Sequence, residues 1–475
     1  MAKLLEKWKD YFNEVEFRLY KVGSKSHLIY AIDRKSHEYR ISYIVRAGSY
    51  FEKNANVPDG TAHFLEHLLC GPNNKFATEE AIKLYCLGSM RKPAIYTNAY
   101  TSYLRIKFFA EGHIKGKKRI HDFFYNTVKY PIEKFGENIE KERKIILAER
   151  KTDLKKSLDE KYNLIKYMND DDKYNGCTKE VVGTSKTINA ITVDDLQKYY
   201  KLAFNQQNLC FAVQSASVPT KKDLAYFDDL ANYFPSQKAE IWQKVREEKL
   251  NNTYSVRYFN KPDERGLQLV FLDKTKKYPI SVYKNLKERY ADAHKDYLTF
   301  LLFNHLTMQR MRTESSLIYS SIVFNLMINW HWLTSGLTIN CSYANLPEVV
   351  DQLYEIIINE SKKYLDSPEG KTWFSAQSQR FIYPMNIEFD PMLAEKAADS
   401  FLLDYVYKSD YKLLRSVYLN ATIEDIKAHI DRIIKTKMPK IWITGSEKEE
   451  KVLSIIRKSK LNQHYSKKKN IVTSQ

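Results

Sequence analysis

The sharpest local feature of this 475-residue chain is His63-Phe64-Leu65-Glu66-His67. On a helix His63 and His67 lie one turn apart, so both imidazoles project from the same face. That spacing suits two nitrogen ligands on one tetrahedral zinc ion. Glu66 falls on the same side, near enough to take a proton from a water at the ion's open position. A catalytic zinc lowers the pKa of such a water to about 7. Phe64, Leu65, Leu68 and Leu69 mark the helix as largely buried, so three polar groups on it need partners. Asp59 or Thr61 can cap its start, and Gly71-Pro72 supplies a stop.

Two histidines leave a third ligand to find. The stretch from Glu140 to Arg150 reads as helix, and Glu142 and Glu149 stand two turns apart on nearly one face. Glu149 follows the apolar run Ile145-Ile146-Leu147-Ala148, an uncomfortable place for a carboxylate unless something pairs it. One carboxylate can bind the metal while the other orients a ligand or the water. Spacing alone leaves both assignments open.

The elements around these residues alternate between two periods. Ile41, Tyr43 and Val45 repeat at a period of two, as do Leu104, Ile106 and Phe108 after Asn98, and helical segments separate them. A sheet backed by helices follows. There is also an internal repeat. Thr192 and Asp195 open a helix that leads into the strand Leu209-Cys210-Phe211-Ala212-Val213. Thr422 and Asp425, about half the chain later, open another that leads into Ile441-Trp442-Ile443-Thr444. Each Thr can cap its helix with the Asp in the capping-box position. Two similar domains are therefore expected, 1–235 and 254–475, joined by a polar linker over 236–253.

Composition bounds the function. Hydrophobic residues make up 43% and charged residues 28%, as in ordinary globular domains. Cys70, Cys86, Cys177, Cys210 and Cys341 stand far apart with no CxxC pair, which gives neither a disulfide framework nor a thiolate zinc site. A reducing, cytoplasmic setting fits that pattern. No apolar run reaches membrane-spanning length, and Met1 to Asn13 lacks the apolar core of a secretory signal. The net charge of +18 raises nucleic acid as a partner, but the lysines are dispersed, with one short run at Lys467-Lys468-Lys469. Neither nucleic acid nor a membrane is the expected partner.

The inverted order of His63, Glu66 and His67 resembles that of the pitrilysin, insulysin and mitochondrial processing peptidase family of inverzincins. The run from Gly60 to Leu69 is similar to that family's zinc helix, and Glu142 with Glu149 to its distal acidic pair. By that resemblance His63, His67 and Glu149 bind Zn²⁺, Glu66 is the general base and Glu142 a supporting acid. Thr97-Asn98-Ala99-Tyr100-Thr101-Ser102 resembles the family's edge strand, which implies substrate binding at Asn98, Ala99 and Tyr100 by β-augmentation. Arg312 and Tyr319 resemble an Arg/Tyr pair that stabilises the oxyanion. Cys70-Gly71-Pro72-Asn73-Asn74 departs from the family pattern, and the second half, with Phe303-Asn304-His305-Leu306, has no counterpart of the zinc motif.

The resemblance implies two homologous α+β domains, each an antiparallel-rich sheet backed by helices, together half of a clam-shell chamber. It implies a zinc metalloendopeptidase acting on short or unfolded peptides, working as a homodimer or with a related subunit. Processing of a peptide precursor is one expected role. The alternative is a non-catalytic or partner-dependent subunit of a heterodimeric peptidase, for which decay of the zinc motif would be the mark.

Overall fold

The computed structural model describes residues 2–10, 14–156, 181–236, 255–260, 267–273, 286–328, 332–382, 392–402, 416–417, 419–436 and 439–466. Nearly all of the linker expected over 236–253 lies outside them. The described residues form two compact units. The first comprises those up to Ser236 together with 392–402, and the second those over 255–382 and 416–466. The expectation of a continuous second domain from 254 to the end thus needs correction, because 392–402 belongs to the first unit.

In the first unit the strands are β1 (Lys3–Asp10), β2 (Val15–Val22), β3 (Ser26–Ile32), β4 (Glu38–Val45), β5 (Ile95–Thr101), β6 (Ile106–His113) and β7 (Leu209–Ser215). They form one sheet in the order β1-β2-β3-β7-β4-β6-β5. Every neighbouring pair is antiparallel except β3–β7, which is parallel. The central strands are near-continuous apolar runs, as strands covered on both faces must be. β4 illustrates this. Ile41, Tyr43 and Val45 face one layer as their period suggests, yet Arg40, Ser42 and Ile44 on the other face are buried as well.

The helices used below are α1 (Thr61–Cys70), α2 (Glu79–Leu87), α3 (Lys117–Val128), α4 (Phe135–Lys156), α5 (Val193–Ala203), α6 (Leu286–Thr307), α7 (Leu393–Leu402) and α8 (Ile423–Thr436). The second face of β4 is covered by α7. Its small residues Ala394, Ala397 and Ala398 pack with Phe17, Ile29, Ile44 and Ala212 in one apolar cluster. Two acids on α7 explain why the segment returns to the first sheet. Glu395 accepts from Arg40 Nε at 2.6 Å and from Lys107 Nζ at 2.7 Å, and Asp399 pairs with Arg105 at 2.8 Å. Arg40 also pairs with Glu111 on β6, so Glu395 adds a second carboxylate to that buried cation.

In the second unit β8 (Ser255–Asn260), β9 (Leu267–Asp273), β10 (Ile318–Ile328), β11 (Trp332–Cys341) and β12 (Pro439–Gly445) form a sheet in the order β10-β11-β9-β12-β8. Its single parallel pair is β8–β12, and the others are antiparallel. Read from β3, the first sheet runs β3-β7-β4-β6-β5; read from β8, the second runs β8-β12-β9-β11-β10, the same path. The repeated capping boxes are both present, Thr192 with Asp195 before α5 and Thr422 with Asp425 before α8. The fold is α+β, with antiparallel-rich sheets backed by helices. No helix among the described residues is long and apolar enough to cross a membrane.

Candidate active site

α1 carries the motif, and its start is built differently from the sequence reading. Neither Asp59 nor Thr61 caps it. The N-cap is Gly60, whose φ of +96° favours glycine, and a Cβ there would meet the Val182 carbonyl oxygen at 2.4 Å. The cap is supplied from outside the helix by the buried Glu52 carboxylate, which accepts from Ala62 N at 2.8 Å and Gly60 N at 3.1 Å. A carboxylate at a helix N-terminus also meets the positive end of the helix dipole. The expected stop at Gly71 is present.

Opposite α1 lies α4, with Phe135, Ile139, Glu142 and Ile146 on its buried stripe and Glu149 one turn further along. Of the two acids, the one outside the apolar run is the more deeply buried. Glu142 is buried, 6% exposed, whereas the Glu149 side chain is 39% exposed and faces the opening. Ile145, in the apolar run before Glu149, is 41% exposed where it lines the cavity beside Glu142.

The two helices bring four motif side chains together. His63 Nε2 lies 3.8 Å from Glu149 Oε1, and His67 Nε2 lies 3.2 Å from Glu149 Oε2. On its other side His67 Nδ1 is 3.3 Å from Glu142 Oε2. One ligand atom each from His63, His67 and Glu149 can be chosen within 4.8 Å of one another. These are donors of the kinds zinc takes, and a histidine held through its second nitrogen by a carboxylate is the usual support for a metal ligand. The residues fit a zinc ion.

Electrostatics point the same way. Burial, with His67 beside it, lowers the His63 imidazole to about 4 against the pull of Glu149. Burial also opposes charge on His67, but hydrogen bonds to Glu142 and Glu149 win and raise it to about 9. The hydrogen bond from His67 holds Glu149 below the usual carboxylate range. The cluster therefore favours one positive charge among its carboxylates. Glu66 is pushed up by burial, against the hydrogen bond it accepts from Thr101 Oγ1.

β5 forms the sheet edge beside α1. Tyr96, Asn98 and Tyr100 are exposed on one face, and Asn98 Oδ1 accepts from the Ala99 amide at 2.9 Å. Thr97 and Ala99 lie on the other face. They help line a cavity of about 360 Å³ whose walls include Glu66, His67, Cys70, Phe108 and Phe124. Ile82 of α2 and Thr127 of α3 extend this wall. Arg312 and Tyr319 belong to the second unit, as does His305, whose Nε2 is 2.9 Å from Tyr364 OH. Arg312 Nη1 donates to the Tyr319 carbonyl at 2.6 Å across the turn that enters β10, and the Tyr319 ring is 74% exposed.

Sequence reading missed the role of Thr101 and the Glu52 cap. The first was accessible, since a period of two places Thr97, Ala99 and Thr101 on one face. The second had no local signal, because Glu52 acts across a loop on a helix that starts nine residues later.

Residues 28–177 match the model of the insulinase family, peptidase family M16. The A-factor-processing enzyme of Saccharomyces cerevisiae is 27% identical over 230 residues, which is 46% of this chain and 22% of the yeast protein. Among solved structures, the first half of the periplasmic protease PqqL from Escherichia coli superposes with a TM-score of 0.70 at 17% identity, covering 97% of this chain and 98% of that one. Pitrilysin gives 0.69 at 13% identity, covering all of this chain and 51% of its own. A peptidase M16 inactive domain from Pseudomonas fluorescens gives 0.64 at 13% identity, over 94% and 98% of the two chains. Over residues 28–177 the chain is thus similar to the M16 peptidases, and its fold is that of their solved members. It spans about half the length of pitrilysin and about a fifth of the curated yeast relative.

Proposed function

We propose that this chain is a zinc-dependent endopeptidase that hydrolyses short or unfolded peptides. The observation that carries the reading is the convergence of His63, His67 and Glu149, with Glu142 behind His67 and Glu66 beside them. His63, His67 and Glu149 would hold Zn²⁺, which supplies Lewis-acid polarisation of the scissile carbonyl and acidifies a water. Glu66 takes the proton of the attacking water and returns it to the leaving amine, a task suited to a carboxyl raised by burial. Glu142 accepts from His67 Nδ1 and fixes the ring. Asn98, Ala99 and Tyr100 offer the β5 edge to the substrate backbone, and the cavity, whose walls mix Phe108, Phe124 and Ile82 with polar groups, suits a side chain flanking the bond.

Arg312 and Tyr319 stabilise the oxyanion in this reading, supplied by a second copy or a related subunit when two chains close a chamber. The compartment we propose is the cytoplasm, where the free thiols of Cys70, Cys86, Cys210 and Cys341 stay reduced. Substrates are neutral or acidic peptides, given the +18 charge, and precursor processing is one such role.

The test is zinc content and peptide cleavage for wild type beside Glu66→Gln. About one zinc per chain in both, with cleavage lost in the variant by at least about 100-fold, is the expected result. Wild type without zinc after reconstitution would sink the reading. A partner-dependent subunit is the second reading, favoured by the chain's half-length match to pitrilysin. Zinc without cleavage across a broad peptide library would select it.

A further inference from the structure

A chain of contacts leads away from Glu66 to a helix more than 300 positions later in the sequence. Thr101, almost fully buried at the end of β5, donates its hydroxyl to Glu66 Oε2. The next residue closes the hairpin into β6, with Ser102 N donating to the Arg105 carbonyl at 2.8 Å. Arg105 Nε lies 2.8 Å from Asp399 Oδ1 on α7, with both side chains buried. Two residues along β6, Lys107 Nζ reaches Glu395 Oε2 at 2.7 Å, one helical turn before Asp399.

The spacing of this grip is matched. Four residues of helix rise about 6 Å and two residues of extended chain advance about 6.7 Å, so successive acids on α7 meet Arg105 just before β6 and Lys107 on it. The turn is docked from a second side, where Ser49 N donates to Ser102 O at 3.2 Å and Tyr50 N to Tyr103 O at 2.8 Å. Gly48 permits that approach, since a Cβ there would lie 2.3 Å from the Tyr103 backbone. Alanine contacts alone could seat α7. The buried charges add a fixed register, which is what a group positioned to within a fraction of an ångström requires.

We propose that α7 braces the general base through Asp399, Arg105 and Thr101, making Thr101 and Asp399 positioning residues of the hydrolytic site. This rests on the peptidase reading, but its first test does not need cleavage. In metal-free protein, Asp399→Asn is expected to speed amide exchange over residues 98–105 at least about tenfold, with β9 and β11 unchanged. Arg105→Lys, which keeps the charge and loses the Nε contact, serves if that variant does not fold. Unchanged exchange at the hairpin would overturn the brace.

The second test is kinetic. Thr101→Val is expected to lower kcat about tenfold at unchanged KM and zinc content, and Thr101→Ser to restore it. Asp399→Asn is expected to lower kcat several-fold in the wild-type background and to add nothing in Thr101→Val. Effects that multiply would show that Asp399 acts on stability and not through Thr101. Wild type without cleavage would sink the peptidase reading and leave the exchange result to decide the brace.

Discussion

In the first unit His63 and His67 meet Glu149 where a carboxylate is 39% exposed beside a cavity of about 360 Å³. In the second unit His429 Nε2 meets Asp296 Oδ1 at 3.0 Å with the two side chains only 2% and 4% exposed. Both pairs join two helices over sheets of the same strand path. In each unit a helix lies between the inner antiparallel strand and the edge hairpin, α1 after β4 and α6 after β9. α1 buries Phe64, Leu65, Leu68 and Leu69 and turns His63 and His67 toward Glu149. α6 fills its buried face with Leu298, Leu302, Phe303 and Leu306. The strand path is thus a scaffold compatible with either content, and the chemistry depends on whether ligand atoms converge at an opening or are packed shut.

That contrast can be attacked first at the carboxylates of the open cluster. Glu149→Gln is expected to remove most zinc affinity. Glu142→Gln, which leaves three ligands but frees His67, should cost roughly 10–100-fold. Titration of each apoprotein against a competing chelator measures both. A larger loss in Glu142→Gln would exchange the roles of the two acids.

The closed pair should respond in a different currency. Asp296→Asn removes one charge from a buried hydrogen-bonded pair and is expected to destabilise the second unit by about 3 kcal/mol in denaturant titration. Zinc stoichiometry should stay as in wild type. A fall in bound zinc with the fold intact would break the comparison, because it would make the second unit's histidine pair part of metal binding.

Much of this contrast was legible before the coordinates. Helical spacing put His63 with His67, and Glu142 with Glu149, on shared faces, while the choice of Glu149 over Glu142 came only from the family resemblance; the two Thr/Asp caps exposed the repeat. What spacing could not supply was burial across elements. The apolar run before Glu149 called for a partner to that acid, but it did not show that Ile145 lines the cavity or that α4 buries Glu142 more deeply. The return of α7 to the first sheet was equally hidden. Its acids make sense only beside Arg40, Arg105 and Lys107, partners about 290 or more residues away along the chain. Long-range charge pairing leaves no local period to read.

Asp399 gives the smallest effect and a definite sign. Burial outweighs its pairing with Arg105 and the more distant Lys107, with Glu395 adding repulsion, and raises the carboxyl from 3.8 to about 6. The folded chain therefore binds an extra proton between those values. Asp399 disfavours folding above pH 6, and that penalty fades as pH falls toward 4. Between pH 7 and pH 5 the gain is about 1 kcal/mol by linkage. Asp399→Asn carries no proton at either pH, so it should lack this gain. Denaturant titrations of both metal-free proteins at the two pH values give the difference, in which the other titrating groups cancel. A wild type that gains about 1 kcal/mol on the variant at pH 5 places a half-neutral acid in the brace. A flat difference means that Arg105 keeps Asp399 ionised throughout, and α7 then grips β6 with full charges at both contacts.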